Sequence, residues 1–314
     1  MKNNVLFITE KYCDGNPDMG LTNHYHNLFD SLQSTNLYSS ITIAHFDEIY
    51  STYNRHFDDF TEGILDEYKP DTIIVSHLGA SPLNPTVRTY HTIKKRNIKL
   101  VFMWPDTREW VYNAIRELYP YSDLHVSWGC ERDDNDTLND KHMWLWAPQN
   151  PALYFDDKKT IDVSFIGTLN GYNNIRLNYI QYLVNNKVPI NFTGGQREEK
   201  LSVQQYAEFV RKSKINLNFS VSAEIKTHQC KGRVFEILAS NSLLLESENY
   251  ATKRRLTPGT HYIEFSNESD LKDKIEYFLK NESERIEIAK NGFNIYNEKY
   301  TATSFWSSVF ERIK

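Results

Sequence analysis

The sequence predicts an α/β protein built from two Rossmann-like domains, each a mostly parallel sheet with helices packed against it. Three observations carry this prediction. At 314 residues the chain is long for one core and comfortable for two. Short β-rich runs alternate with longer amphipathic ones from end to end, the pattern of a parallel sheet with helical crossovers. A stretch rich in proline and polar residues, "APQNPALYFDDKK" at 147 to 159, breaks that rhythm near the midpoint. The boundary is placed near Pro151, giving domains 1–150 and 151–314. The last helices are expected to pack back on the first domain.

In chain order, the first half offers strands at "NVLFIT", "ITIAHF", "DTIIVSH", "KLVFMW", "LHVSW" and "MWLWA". Each is a short run of β-branched, aromatic or aliphatic residues between polar breaks. Between them "LTNHYHNLFDSL", "FDDFTEGILDEY", "PTVRTYHTIKKR" and "TREWVYNAIREL" repeat apolar residues at helical spacing. The second half restarts with strands at "DVSFIG", "PINFTG", "KINLNFS", "SLLLES" and "HYIEFS". Its helices are "NIRLNYIQYLVNN", "SVQQYAEFVRKS", "RVFEILAS" and "LKDKIEYFLKN". After Ser266 the pattern is helical only. Leu271, Ile275, Phe278 and Leu279 trace one apolar stripe, and Phe305, Trp306, Val309, Phe310 and Ile313 trace another. Both stripes are expected to face a core. Two such domains facing each other across a cleft would bind ligands beyond the carboxyl ends of their strands.

Composition narrows the chemistry. With 40% hydrophobic and 25% charged residues the chain is that of a folded protein, and its formal net charge of -5 supplies no global basic field for nucleic acid or anionic membranes. Cys13, Cys130 and Cys230 form no CxxC pair, which argues against a disulfide framework or zinc knuckle and for a reducing compartment. The N-terminal apolar run is too short for a signal peptide, and no stretch approaches the ~20 apolar residues that span a bilayer. A cytoplasmic location is expected. "FITEKYCDGNPDMG" does not supply the GxGxxG dinucleotide fingerprint, and no P-loop pattern occurs. Asp134 and Asp136 have DxD spacing, but the polar run "RDDNDTLND" around them reads as a solvated loop and not a metal site. In "HYH" at 24 to 26 the two imidazoles are i and i+2, on different faces of a helix. No metal and no bound cofactor are expected.

The most informative stretch is "KGRVFEILASNSLLLE" at 231 to 246. If a helix begins near Gly232, its first turn presents N–H groups and the positive end of its dipole, which attract an anion. Lys231 and Arg233 add charge there, and Gly232 lets a phosphate approach the backbone. Glu236, at i+3 from Arg233, shares its side of the helix. A carboxylate so near a phosphate is better placed to accept hydrogen bonds from sugar hydroxyls. A nucleoside diphosphate with its ribose would satisfy all four residues. The same spacing also describes a surface i,i+3 ion pair at the start of an ordinary helix.

"KGRVFEILASNSLLLESE", followed by "LTPGTHYIEFSNESDLKDKIEYFLKNESERIEIAKNGFNIYNEKYT", resembles the C-terminal domain of GT-B glycosyltransferases, most closely the CgeB-like group. "DVSFIGTLNGYNNIR" resembles that group's first C-domain strand, its glycine loop and the arginine beyond, here Arg176. The likeness covers roughly residues 160 to 300. It implies a GT-B architecture with acceptor bound by the first domain and nucleotide sugar, for example a UDP-sugar, by the second. It further implies that Arg233 and Lys231 meet the diphosphate, that Glu236 binds ribose or donor-sugar hydroxyls, and that Gly167 and Thr168 lie under the donor. Retaining members of the wider superfamily carry a glutamate eight residues before the equivalent of Glu236. Here that position is His228, which leaves the stereochemistry open. Gly194 and Arg176 have weaker support, as a turn glycine and a solvated helix residue respectively.

In the acceptor half three residues are candidates for the catalytic base. Asp106 follows the strand "KLVFMW", where the neighbouring Trp104 could stack on a sugar; His77 ends "DTIIVS"; His24 opens the first long helix. The resulting expectation is metal-independent transfer of a sugar from a nucleotide-diphosphate sugar to an unidentified acceptor. The alternatives are a nucleotide-sugar epimerase of the same fold, a non-catalytic nucleotide-sugar binding protein, and a DNA-base glycosyltransferase. The acidic net charge speaks against nucleic acid as a partner.

Overall fold

The computed structural model describes residues 3–22, 25–77, 81–105, 109–128, 140–169, 174–193, 201–219 and 229–314; the side chains of residues 109, 110 and 174 are excluded. The chain divides into two compact units, Met1–Asn150 with Ala302–Lys314, and Pro151–Thr301.

The first unit holds a six-stranded sheet of β1 (Asn3–Thr9), β2 (Tyr38–His45), β3 (Thr72–Ser76), β4 (Lys99–Trp104), β5 (Leu124–Ser127) and β6 (His142–Trp144). The order is β2-β1-β3-β4-β5-β6, and every pairing is parallel. Central strands of a parallel sheet are covered on both faces, which is why "TIIVS" and "LVFMW" are apolar without alternation and fully buried. One face packs Phe7, Val101, Met103 and Val126 with the C-terminal helix Ala302–Arg312, through Phe305, Trp306 and Val309. Trp306 Nε1 donates to Ser31 Oγ at 2.9 Å, which satisfies the one polar atom of an indole that has no exposed surface.

The second unit holds β7 (Ile161–Ile166), β8 (Ile190–Thr193), β9 (Ser213–Asn218), β10 (Leu243–Ser247) and β11 (Ile263–Phe265), ordered β11-β10-β9-β7-β8 and again all parallel. Numbered within the unit this is 2-1-3-4-5, the doubly wound order whose topological switch lies between its first and third strands, here β7 and β9. The crossover helices Asn174–Asn185 and Gly232–Ala239 therefore leave the switch in opposite directions along the sheet. All eleven strands expected from sequence are present. A helix at Phe46–Tyr53 was not expected: Phe46 reads as the end of its strand but is a buried first helical residue.

No helix among the described residues is long and apolar enough to cross a membrane.

Candidate functional site

The stretch "KGRVFE" does start a helix at the switch point of the second unit. Lys231 is the N-cap, with extended backbone (φ -73°, ψ 154°), and Gly232–Ala239 follows. Lysine has no acceptor to offer the first-turn amides, so its side chain does not cap this helix start. The apolar face, Val234, Phe235, Ile237 and Leu238, is entirely buried and fixes the helix against the sheet.

The surface ion-pair alternative is excluded. Glu236 is only 7% exposed, and Arg233 reaches it through a third residue. Arg233 Nε donates to Tyr206 Oη at 3.1 Å, and Tyr206 Oη donates to Glu236 Oε2 at 2.6 Å. Tyr154, also buried, adds a second hydroxyl to the same carboxyl group. Burial pushes the Glu236 carboxyl above its usual range, with Tyr206, Arg233 and Tyr154 opposing that shift. Burial opposes the charge of Arg233, but Tyr206 and Glu236 outweigh it and hold the guanidinium firmly protonated. The guanidinium lies over the Phe165 ring at 5.4 Å and the Tyr206 ring at 6.0 Å.

Gly167 closes β7 beside it. A Cβ placed on Gly167 would stand 3.1 Å from Arg233 Nη2 and 3.4 Å from Nη1, so the glycine is what gives the guanidinium its place. Thr168, the next residue, is exposed, and its carbonyl accepts from Arg176 Nη1 at 3.4 Å. Arg176 stands in the first turn of the other crossover helix. It is not the solvated residue the sequence suggests. Its Nε is buried with no hydrogen-bond partner among the described residues, and burial, then the charge of Arg233, pushes its pKa down to about 10. Two guanidiniums that disfavour each other thus flank Gly167 and Thr168 at the strand ends. An anion between them would relieve both the repulsion and the unmet donor.

The candidates in the first unit fare differently. His77 does follow β3, but it sits among Tyr90, Phe102 and Trp104 with its Nε2 bonded to the Tyr90 hydroxyl; burial pushes its pKa down to about 4. Since Tyr90 Oη donates to Pro85 O, it accepts from His77, and the imidazole is a neutral packing residue. Trp104 cannot stack on a sugar: it is 2% exposed and donates through Nε1 to His125 Nδ1 at 3.0 Å. Asp106 and His24 lie outside the described residues, as do Asp134, Asp136, Gly194 and His228. Tyr206, Tyr154 and the full part of Arg176 are what sequence reasoning missed. The one available signal was the capping box Ser202–Gln205, which marks the helix start that carries Tyr206.

Two all-parallel α/β sheets, each with one switch point, define an α/β fold of the GT-B type. Residues 155–309, nearly all of the second unit and most of the C-terminal helix, match the family described as glycosyl transferase-like, so the chain carries a glycosyltransferase domain. The chain as a whole is similar in fold to HepE of Anabaena, solved with UDP and with UDP-glucose. The TM-score is 0.62 in both, at 10% identity, covering 99% of each chain in the first and 98% in the second. It is likewise similar to sucrose-phosphate synthase of Thermosynechococcus elongatus (TM-score 0.60, 8% identity, 98% of each chain). A glycosyltransferase of Rickettsia africae matches with TM-score 0.60 at 10% identity, over 100% of this chain and 98% of that one. No curated protein matches the sequence.

Proposed function

We propose that this glycosyltransferase moves a sugar from a nucleoside-diphosphate sugar to an acceptor, and that the diphosphate binds at the switch point of the second unit. The observation that carries the reading is the pair Arg233, beside Gly167, and Arg176, on the Thr168 carbonyl, brought from two separate helices, with a buried Arg176 Nε that has no partner among the described residues. In sugar transfer negative charge develops on the leaving diphosphate, and fixed cations aimed there stabilise the transition state more than the ground state. Arg176 and Arg233 take that role, with Lys231 and the helix start beside them. This cationic set supplies charge neutralisation that other transferases draw from a divalent ion, which supports metal-independent transfer. UDP is the first nucleotide to test, since HepE was solved with it. The acceptor and its base belong to the first unit in this reading, with Asp106 and His24 retained as base candidates and a cytoplasmic site of action.

The test is thermal stability with UDP, GDP, ADP and CMP, in magnesium and in EDTA, on the wild type, Arg176→Ala and Arg233→Ala. A ligand at ~100 times its dissociation constant adds about 2.7 kcal/mol. One nucleotide should stabilise the wild type in EDTA, and both variants should lose most of that response. Variants that respond as the wild type does would remove the diphosphate from this site. Incubation with sugar donor alone then separates transfer from epimerisation, which needs no acceptor.

A further inference from the structure

The arrangement around Arg233 assigns Glu236 a part other than holding ribose. The Tyr206 hydroxyl has one proton, and it must accept from Arg233 Nε–H, so that proton goes to Glu236 Oε2. The chain of donors therefore runs one way, from guanidinium to phenol to carboxylate. Glu236 is 7% exposed and already receives the hydroxyls of Tyr206 and Tyr154. With Nε anchored behind, Arg233 turns Nη1 and Nη2 toward Gly167, at 3.4 and 3.1 Å from where a Cβ would stand. Tyr206 is itself held from outside the site. It lies in the first turn of Val203–Lys212, whose start is locked by Ser202 Oγ accepting from Gln205 N and Gln205 Oε1 accepting from Ser202 N.

We infer that Tyr206 and Glu236 are positioning residues that aim the Arg233 fork at the diphosphate, and that Glu236 does not contact the ribose. The inference rests on the diphosphate site proposed above. A guanidinium anchored at Nε by a phenol that is itself fixed by a buried carboxylate loses little freedom when it binds, and that is how the pair raises affinity.

Binding of UDP and of 2′,3′-dideoxy-UDP is measured by calorimetry on the wild type, Tyr206→Phe, Glu236→Gln, Arg233→Ala and the double variant Arg233→Ala/Tyr206→Phe. Phenylalanine keeps the ring under the guanidinium, and glutamine keeps shape and one acceptor oxygen, so two conservative routes probe one link. Each single change should weaken both nucleotides by the same factor, about tenfold, the worth of one hydrogen bond to a charged group. Tyr206→Phe should add no further loss once Arg233 is alanine, a coupling that a merely structural role would not produce. Loss of UDP affinity with dideoxy-UDP affinity unchanged would make Glu236 a ribose ligand and overturn the inference alone. A full loss from Tyr206→Phe in the Arg233→Ala background would do the same. A wild type that binds no nucleoside diphosphate overturns the site reading, and the inference with it.

Discussion

Mild acid should destabilise the first unit and stabilise the second. In the first, His77, His125 and His142 are buried and neutral, with pKa values pushed by burial from 6.5 to about 4, 3 and 4. Above pH 6.5 neither the folded nor the unfolded chain protonates them, and they contribute nothing to the pH dependence. Between pH 6.5 and about 4 only the unfolded chain takes the protons, so stability falls with pH. At pH 5 each histidine costs about 2 kcal/mol, or about 6 in all; the figure is set by the unfolded value, because the folded values lie below pH 5. Glu10 opposes this. Burial raises its pKa to about 7, so the folded chain binds a proton that the unfolded chain refuses until about pH 4.5, a gain of about 2 to 3 kcal/mol at pH 5. His45, also pushed down by burial, adds to the loss, so the first unit should lose at least about 3 kcal/mol between pH 7.5 and 5. In the second unit Glu246, raised by burial to about 7, gives a gain of about 2 to 3 kcal/mol over the same range; Glu236, also raised by burial, adds to it, and His261, lowered by burial, opposes it. Lys159, lowered to about 8, is protonated in both states below that value and adds no slope there. The assay is built into the sequence: all six tryptophans, at 104, 110, 128, 144, 146 and 306, lie in the first unit. Urea unfolding followed by tryptophan fluorescence reads that unit, and amide hydrogen exchange of 213–218 and 243–247 reads the other. Glu10→Gln should deepen the fluorescence-detected loss to at least about 6 kcal/mol. A tryptophan transition equally stable at pH 5 and 7.5, in wild type and Glu10→Gln alike, would refute the neutral-histidine core.

Two glycines supply further tests. Gly167→Ala places a methyl 3.1 Å from Arg233 Nη2 and 3.2 Å from the Phe165 ring; it should weaken nucleotide binding about tenfold while the melting temperature hardly moves, since the guanidinium can shift. Gly292→Ala meets the His261 carbonyl oxygen and Leu238 Cδ2, both at 2.6 Å, and neither backbone nor core leucine can retreat cheaply. It should cost about 1–3 kcal/mol of second-unit stability in hydrogen exchange, because it forces Glu282–Lys299 away from the helix Gly232–Ala239.

The strands were legible because burial on both faces writes them as unbroken apolar runs, and "TIIVS" has few other readings. The helix Phe46–Tyr53 was not. Its first residue continues the apolar run of β2, and what fixes the break is remote: Asp47 accepts from Lys11 N at 2.9 Å and Tyr12 N at 3.0 Å. At the site the same distinction holds. Lys231, Gly232, Arg233 and Glu236 are neighbours in sequence, so their cluster could be seen. Tyr206 and Tyr154 reach Glu236 from 30 and 82 positions away, and nothing local marks either as a partner. Trp104 and His77 failed in the opposite way. The rule that strand ends carry function says where a residue is, but not that Tyr90, Phe102 and His125 will enclose it.

The topology explains why the cations gather where they do. Both units repeat the 2-1-3 strand core, so each has one switch point, between β1 and β3 in the first and between β7 and β9 in the second. In the second, crossover helices diverging from the switch each bring an arginine in the first turn. In the first, the same position ends in Glu10, 3% exposed with Thr22 Oγ1 donating to it at 2.7 Å, and in His77, held neutral. The first-turn arginine of its crossover helix Val87–Lys95, Arg88, is instead exposed and paired with Asp59 at 3.0 Å, so among the described residues the buried Glu10 carboxyl has no buried guanidinium beside it. The shared fold fixes where a ligand can sit. On the proposed diphosphate site, Arg176 and Arg233 make the second unit the one that takes the anionic donor.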